Sequence, residues 1–165
     1  MLLKIQIIQG SILDADAQVI VNAANSYGLM GGGVAGVIRQ AAGPSVEHEA
    51  MQQAPIPVGR AILTSGGKTP FQGIIHAPTM SEPAMPIPAE NVSQATRAAI
   101  QFADGQGWTS VALPGMGTRV GGVSHADAAE HMMNEILSYS SQTLEKVILI
   151  DIDPAMVQAW HDRVS

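Results

Sequence analysis

Val19-Ile20-Val21-Asn22-Ala23-Ala24-Asn25 runs, after a short spacer, into Gly31-Gly32-Gly33-Val34-Ala35-Gly36, and the reading of these two strings decides the fold. Gln18 to Val21 is an apolar, β-branched run and predicts a buried strand. Val34 to Ala42 predicts a helix that stops at Gly43-Pro44. Strand, paired Asn, glycines and helix in that order place the connecting residues beyond the carboxyl end of a strand, where ligands sit in open α/β sheets. Asn22 and Asn25 offer donors and acceptors with no charge to desolvate, which suits ribose hydroxyls. Gly31, Gly32 and Gly33 let the backbone press close to a ligand. The free amides that open the helix favour an anion. A glycine run taken alone is equally a plain turn; it is the whole string that points to a site.

A second string repeats the arrangement. Leu113-Pro114-Gly115-Met116-Gly117-Thr118-Arg119-Val120-Gly121-Gly122 follows the apolar run Ser110 to Leu113 and precedes a helix predicted over Ser124 to Leu137. Its amides and the Thr118 hydroxyl suit a second phosphate. Two such loops on adjacent strand ends would clamp a pyrophosphate from both sides.

Around these strings the pattern is mixed. Strands are predicted over Leu2 to Gln9, Arg60 to Ser65, Phe71 to His76 and Val147 to Ile150. Helices are predicted over Pro44 to Gln53, Glu90 to Asp104 and Pro154 to Arg163, the last with Pro near its first turn. Thr79 to Pro88 is rich in Pro and Met and reads as a loop. The later half alternates helix and strand, which points to a mixed sheet between helices.

The 165 residues predict one domain, residues 1–165, large enough to bury its own core. No cysteine is present, so disulfides and thiolate metal sites are excluded. The first residues are too short for a signal peptide and no apolar run reaches the roughly 20 residues of a membrane span; a cytoplasmic address fits. With a net charge of −6 and only eight Lys and Arg, the basic face of a duplex nucleic-acid binder is not expected. Acidity is compatible with a phosphate ligand, because backbone amides bind phosphate without lysine.

Several chemistries have no carrier. There is no Gly-x-x-x-x-Gly-Lys-Ser/Thr string, so a P-loop is excluded. Gly31 to Gly36 fits Gly-x-Gly-x-x-Gly, but the acidic residue expected about 20 positions on, at the end of a second strand, is not clear. The five histidines show no metal-ligand spacing, and neither a metal nor a cofactor is expected. His76 ends a predicted strand, where it edges the cleft or, in the favoured reading, bonds a loop backbone. No Gly-x-Ser-x-Gly elbow occurs.

Together, Val19 to Asn25, Gly31 to Gly43, Ile75-His76-Ala77 and Leu113 to Gly122 resemble the macro domain family, and the likeness runs from Ile5 to the final helix. The resemblance implies a three-layer α/β/α sandwich with a mixed six- or seven-stranded sheet. It implies ADP-ribose as ligand, free or as a terminal group on a macromolecule. By position, the Ile12 amide would lie near the adenine, and Asn25 would contact the distal ribose. Gly32, Gly33 and Val34 would line one side of the diphosphate; Gly115, Met116, Gly117, Thr118 and Arg119 would line the other. Gly32 is expected where a side chain would strike the ligand or force an unfavourable φ.

Three departures bear on function. The family's Asp after the first strand is Ser11 here, so a hydroxyl replaces a carboxylate that accepts from the adenine amine, unless Asp14 or Asp16 substitutes. The Asp of the hydrolytic branch is Ala35. The aromatic that stacks on adenine is replaced by Ile152. The first reading is therefore an ADP-ribose binder. The alternative is an ADP-ribosyl or O-acetyl-ADP-ribose hydrolase that uses a loop-held water, with Asn25 orienting the ribose. A third reading, binding of a single-stranded nucleic-acid end, is opposed by the negative charge and the 4% aromatic content.

Overall fold

The computed structural model describes residues 1–164. Among these residues six strands and five α-helices follow one another: β1 (Lys4–Gln9), β2 (Val19–Asn25), α1 (Gly33–Ala42), α2 (Pro44–Gln52), β3 (Ile62–Thr64), β4 (Gly73–Met80), α3 (Glu90–Gly105), β5 (Ser110–Leu113), α4 (His125–Ser138), β6 (Lys146–Asp151) and α5 (Pro154–Val164). One 3-10 turn (Ile12–Asp14) follows β1. The strands form a single sheet in the order β1-β6-β5-β2-β4-β3. Every neighbour is parallel except β3, which runs antiparallel to β4.

Side chains alternate between the two faces of a strand, and the core divides accordingly. Ile20, Ile74, Ala112 and Ile148 face a cluster with Ile38 and Ala42 of α1 and Val46 of α2. Val19, Val21, Ile75, Val111, Leu113, Val147 and Leu149 face the cluster built on α3, α4 and α5, with Ala99, Met132 and Trp160. Two helical layers therefore cover the sheet, as the resemblance implied, with six strands among the described residues. Strands buried on both faces read as continuous apolar runs rather than alternating ones, which is why the central strands stood out in the sequence.

Boundaries differ from expectation at two points that matter. β2 continues through Asn22 to Asn25 instead of stopping at Val21: Asn22 pairs in register with His76 of β4, and its Nδ2 finds the His76 ring there. β4 continues to Met80, so Thr79 and Met80 are strand, not loop; all eight of its residues are buried. Among the described residues, no helix is long and apolar enough to cross a membrane.

α1 shows why the first string folds as it does. It buries Ala35, Ile38 and Ala42, one helical stripe, against the sheet. The Gly43 amide closes it on the Arg39 carbonyl, and Pro44 opens α2 at a position where the missing N–H costs nothing.

Candidate functional site

The carboxyl ends of β1, β6, β5, β2 and β4 open into one cavity of about 920 Å³. Its floor includes Gly10–Ile12 after β1, Asn25 at the end of β2, and Asp151 at the end of β6. Gly31 to Ala35 wall one side and Gly117 to Gly121 the other.

The first loop is built around Asn25. Its Oδ1 accepts from the amides of Tyr27 (3.0 Å) and Leu29 (3.4 Å), and its Nδ2 donates to the Leu29 carbonyl (2.9 Å). The Asn25 amide thus holds the turn that delivers the glycines, while still lining the cavity. The Met30 amide donates to Glu47 Oε2 (2.7 Å), and Glu47 Oε1 accepts from Arg39 Nε (2.9 Å). Beyond that anchor the backbone is unspent. Among the described residues, no amide from Gly31 to Ala35 donates to a protein acceptor, and the first helical bond is Gly36 N–H to the Gly32 carbonyl (3.1 Å). These are the orphan donors of a helix start.

Gly33 has φ +58, a conformation that side-chain-bearing residues resist. Gly32 does not: its φ is −158, extended backbone open to any residue, and a Cβ there would meet nothing within 4 Å. The expectation of an unfavourable φ at Gly32 is therefore corrected; that demand falls on Gly33. What a side chain at Gly32 would enter is open space at the cavity wall.

The second loop is pinned at its root. The Gly115 amide donates to Asp151 Oδ2 (2.9 Å), so this N–H is not free for a ligand. The amides from Gly117 to Gly121 have no protein acceptor among the described residues, and the loop closes with Gly122 N–H to Arg119 and Val123 N–H to Gly117. A Cβ on Gly121 would come within 2.5 Å of the Gly117 carbonyl oxygen, so the loop's fold requires glycine there.

Most of the expected site residues line this cavity: Ser11, Ile12, Asn25, Gly31, Gly32, Gly33, Val34, Gly115, Gly117, Thr118, Arg119 and Ile152. Two do not. Met116 is fully buried in the core below the loop. Asn22 is fully buried inside the sheet, where its Nδ2 lies 3.1 Å from His76 Nδ1. His76 neither edges the cleft nor bonds a loop backbone: it is fully buried and its Nε2 lies 3.0 Å from Thr64 Oγ1. Because the Thr64 hydroxyl donates to the Ser65 carbonyl (3.0 Å), it accepts from His76 Nε2–H, leaving Nδ1 to accept from Asn22. Burial pushes the imidazole pKa down to about 4, against a smaller opposing pull from Glu49. Among the described residues, Asn22 Oδ1 is buried without a partner.

The sequence reading missed Glu47 and Asp151, the two carboxylates of the lining. Asp151 had a legible signal, the end of an apolar strand. Glu47 had none, since it is one polar residue within a helix. At the rim, Ile152 and Val120 are largely exposed. His125 Nε2 lies 2.8 Å from Asp153 Oδ2; the Ala155 N–H foremost, then this partner, hold the Asp153 carboxyl below its ordinary range. Ser11 Oγ accepts from the Leu13 amide (3.2 Å), capping the 3-10 turn, and Asp14 and Asp16 are exposed outside the cavity.

Comparison with known proteins agrees with this geometry. The macro domain family model matches residues 21–132, more than half of the chain. The chain is 56% identical over 159 residues to a protein of Aquifex aeolicus, covering 96% of each. It is 31% identical over 155 residues, 90% of this chain and 89% of the other, to a Klebsiella pneumoniae protein named O-acetyl-ADP-ribose deacetylase. Other relatives are longer: the chain spans 64% of one from Aeropyrum pernix and 46% of one from Mycobacterium bovis. Among solved structures, a variant of the Oceanobacillus iheyensis macrodomain with ADPR superposes with TM-score 0.86 at 25% identity, covering 96% of this chain and 90% of that one. Sheet order, paired glycine loops and family match converge, and the chain belongs to the macro domain family.

Proposed function

We propose that the chain binds ADP-ribose, free or as a terminal mono-ADP-ribosyl group, along this cavity. One observation carries the reading: two runs of unspent backbone N–H groups, Gly31 to Ala35 and Gly117 to Gly121, border the same cavity from opposite sides. Such donors hold a diphosphate without cations, and among the described residues Arg119 is the one cationic residue of the lining. The free Ile12 amide and the Ser11 hydroxyl, whose proton remains available to donate, suit acceptor atoms of the adenine ring. Asn25 lines the cavity beside the first loop and would contact the distal ribose.

Calorimetry with ADP-ribose, AMP and NAD tests this. ADP-ribose should bind, and Gly33→Glu, which puts bulk and negative charge into the diphosphate seat, should abolish binding. Absence of binding to the unmodified protein refutes the reading.

Hydrolysis is the second reading, favoured by the relative named a deacetylase. Ala35 lines the cavity without a carboxylate, and Glu47 is already engaged by Met30 and Arg39. Such a reaction would draw on the ligand's own phosphate and a loop-held water, with Asn25 orienting the ribose. Release of ADP-ribose from a modified protein, lost in Asn25→Ala, supports it; no release across several linkages sinks it. A nucleic-acid end is disfavoured, because among the described residues the lining holds no aromatic side chain for bases to stack on.

A further inference from the structure

We propose that Asp151 reads the hydroxyls of the ribose next to the adenine, and so selects against ligands that carry a phosphate on that ribose. The inference rests on the ADP-ribose reading and adds a specificity to it.

Position comes first. In the sheet, β6 lies between β1 and β5. The loop after β1 supplies Gly10–Ile12 to the cavity, and the loop after β5 supplies the second glycine wall. A nucleotide with its base at the β1 end and its phosphates at the glycine walls must lay its first ribose over the end of β6. The polar residue of the lining at that strand end is Asp151, flanked by Ile150 and Ile152.

Chemistry comes second. Asp151 Oδ1 accepts from the Asp153 amide (2.9 Å) and Oδ2 from the Gly115 amide (2.9 Å). These two N–H groups fix the carboxylate in place, and each oxygen keeps a further lone pair. An ionised carboxylate accepts and cannot donate. A ribose diol presents donors at that point, and a strand-end carboxylate on a ribose hydroxyl is how dinucleotide folds recognise the same group. A phosphate ester on that hydroxyl would remove the donor and set a dianion against the carboxylate. The charged neighbours are Arg119 and His125 on one side and Asp153 on the other: His125 Nε2 lies against Asp153 Oδ2 and Arg119 acts electrostatically on the same carboxylate, so Asp153 offsets the cations and leaves Asp151 to face the ribose.

The experiment measures affinities of the full chain for ADP-ribose, its 2′-deoxy analogue on the adenosine ribose, and its 2′-phosphate. A hydrogen bond to a charged group corresponds to about 10- to 100-fold in affinity. The unmodified protein should lose that factor with the deoxy ligand and at least as much with the 2′-phosphate. Asp151→Asn, which keeps one acceptor for the loop, should narrow the gap to the 2′-phosphate. The three ligands on the unmodified protein already decide the matter, so a variant that folds poorly does not protect the idea. If ADP-ribose binds and all three ligands bind alike, the role of Asp151 is wrong and the ADP-ribose reading stands. If no ligand binds, both fall.

Discussion

Acidification from pH 7 to pH 5 is expected to cost the fold about 2 kcal/mol through His76 alone. The reasoning starts from burial. His76 is fully enclosed, its Nδ1 faces the Asn22 amide, and its pKa is pushed down to about 4 from an ordinary 6.5. Between those two values the unfolded chain binds a proton that the folded chain refuses, so stability falls as pH falls. At pH 7 the folded imidazole is neutral and the unfolded one mostly so; at pH 5 the unfolded imidazole is almost fully charged and the folded one is not. Integrating across that interval yields about 2 kcal/mol. The interval is chosen to stay above the range in which carboxylates with depressed pKa values contribute. Urea unfolding of the unmodified protein and of His76→Gln at pH 7, 6 and 5 measures it. The parent should lose midpoint steadily, and the variant, less stable at pH 7, should show a flatter profile. Parallel profiles would refute the assignment of a neutral, buried imidazole. Asn22→Asp should also flatten the parent's slope, because a carboxylate against Nδ1 raises the imidazole pKa.

Gly33→Ala should lower stability by about 1 kcal/mol because of its positive φ, whereas Gly32→Ala, extended and unobstructed, should leave the melting temperature unchanged and weaken ADP-ribose binding; thermal melts with and without ligand separate the two. Asp104→Ala should cost about 3 kcal/mol, since this buried carboxylate accepts from the amides of Gln142, Thr143 and Leu144 and from the Tyr139 hydroxyl. Burial pushes that carboxyl up, but the amides together outweigh it and hold it well below the usual range. Its stabilisation is therefore present above the ordinary carboxylate pKa and lost on stronger acidification, which acid titration of the parent against the variant measures.

The amino-acid sequence by itself determined the parts whose signals are local. The central strands are apolar because both faces are covered, the helix starts and stops carry Pro and Gly, and the two glycine loops sit immediately after strands. From these came the family resemblance, the layered architecture and most of the cavity wall. Tertiary structure decided what depends on which strands are neighbours. Asn22 looks like its neighbour Asn25, yet pairing with His76 across β2 and β4 takes it into the interior and leaves Asn25 at the cavity. Gly115 looks like a phosphate-binding amide until β6, remote in sequence, brings Asp151 beneath it. Gly32 and Gly33 are indistinguishable as letters, and only the backbone path into α1 assigns the positive φ to one of them. Hydrogen-bond partners and dihedral angles are properties of packed chain segments, and no pattern of residue types along one segment encodes them.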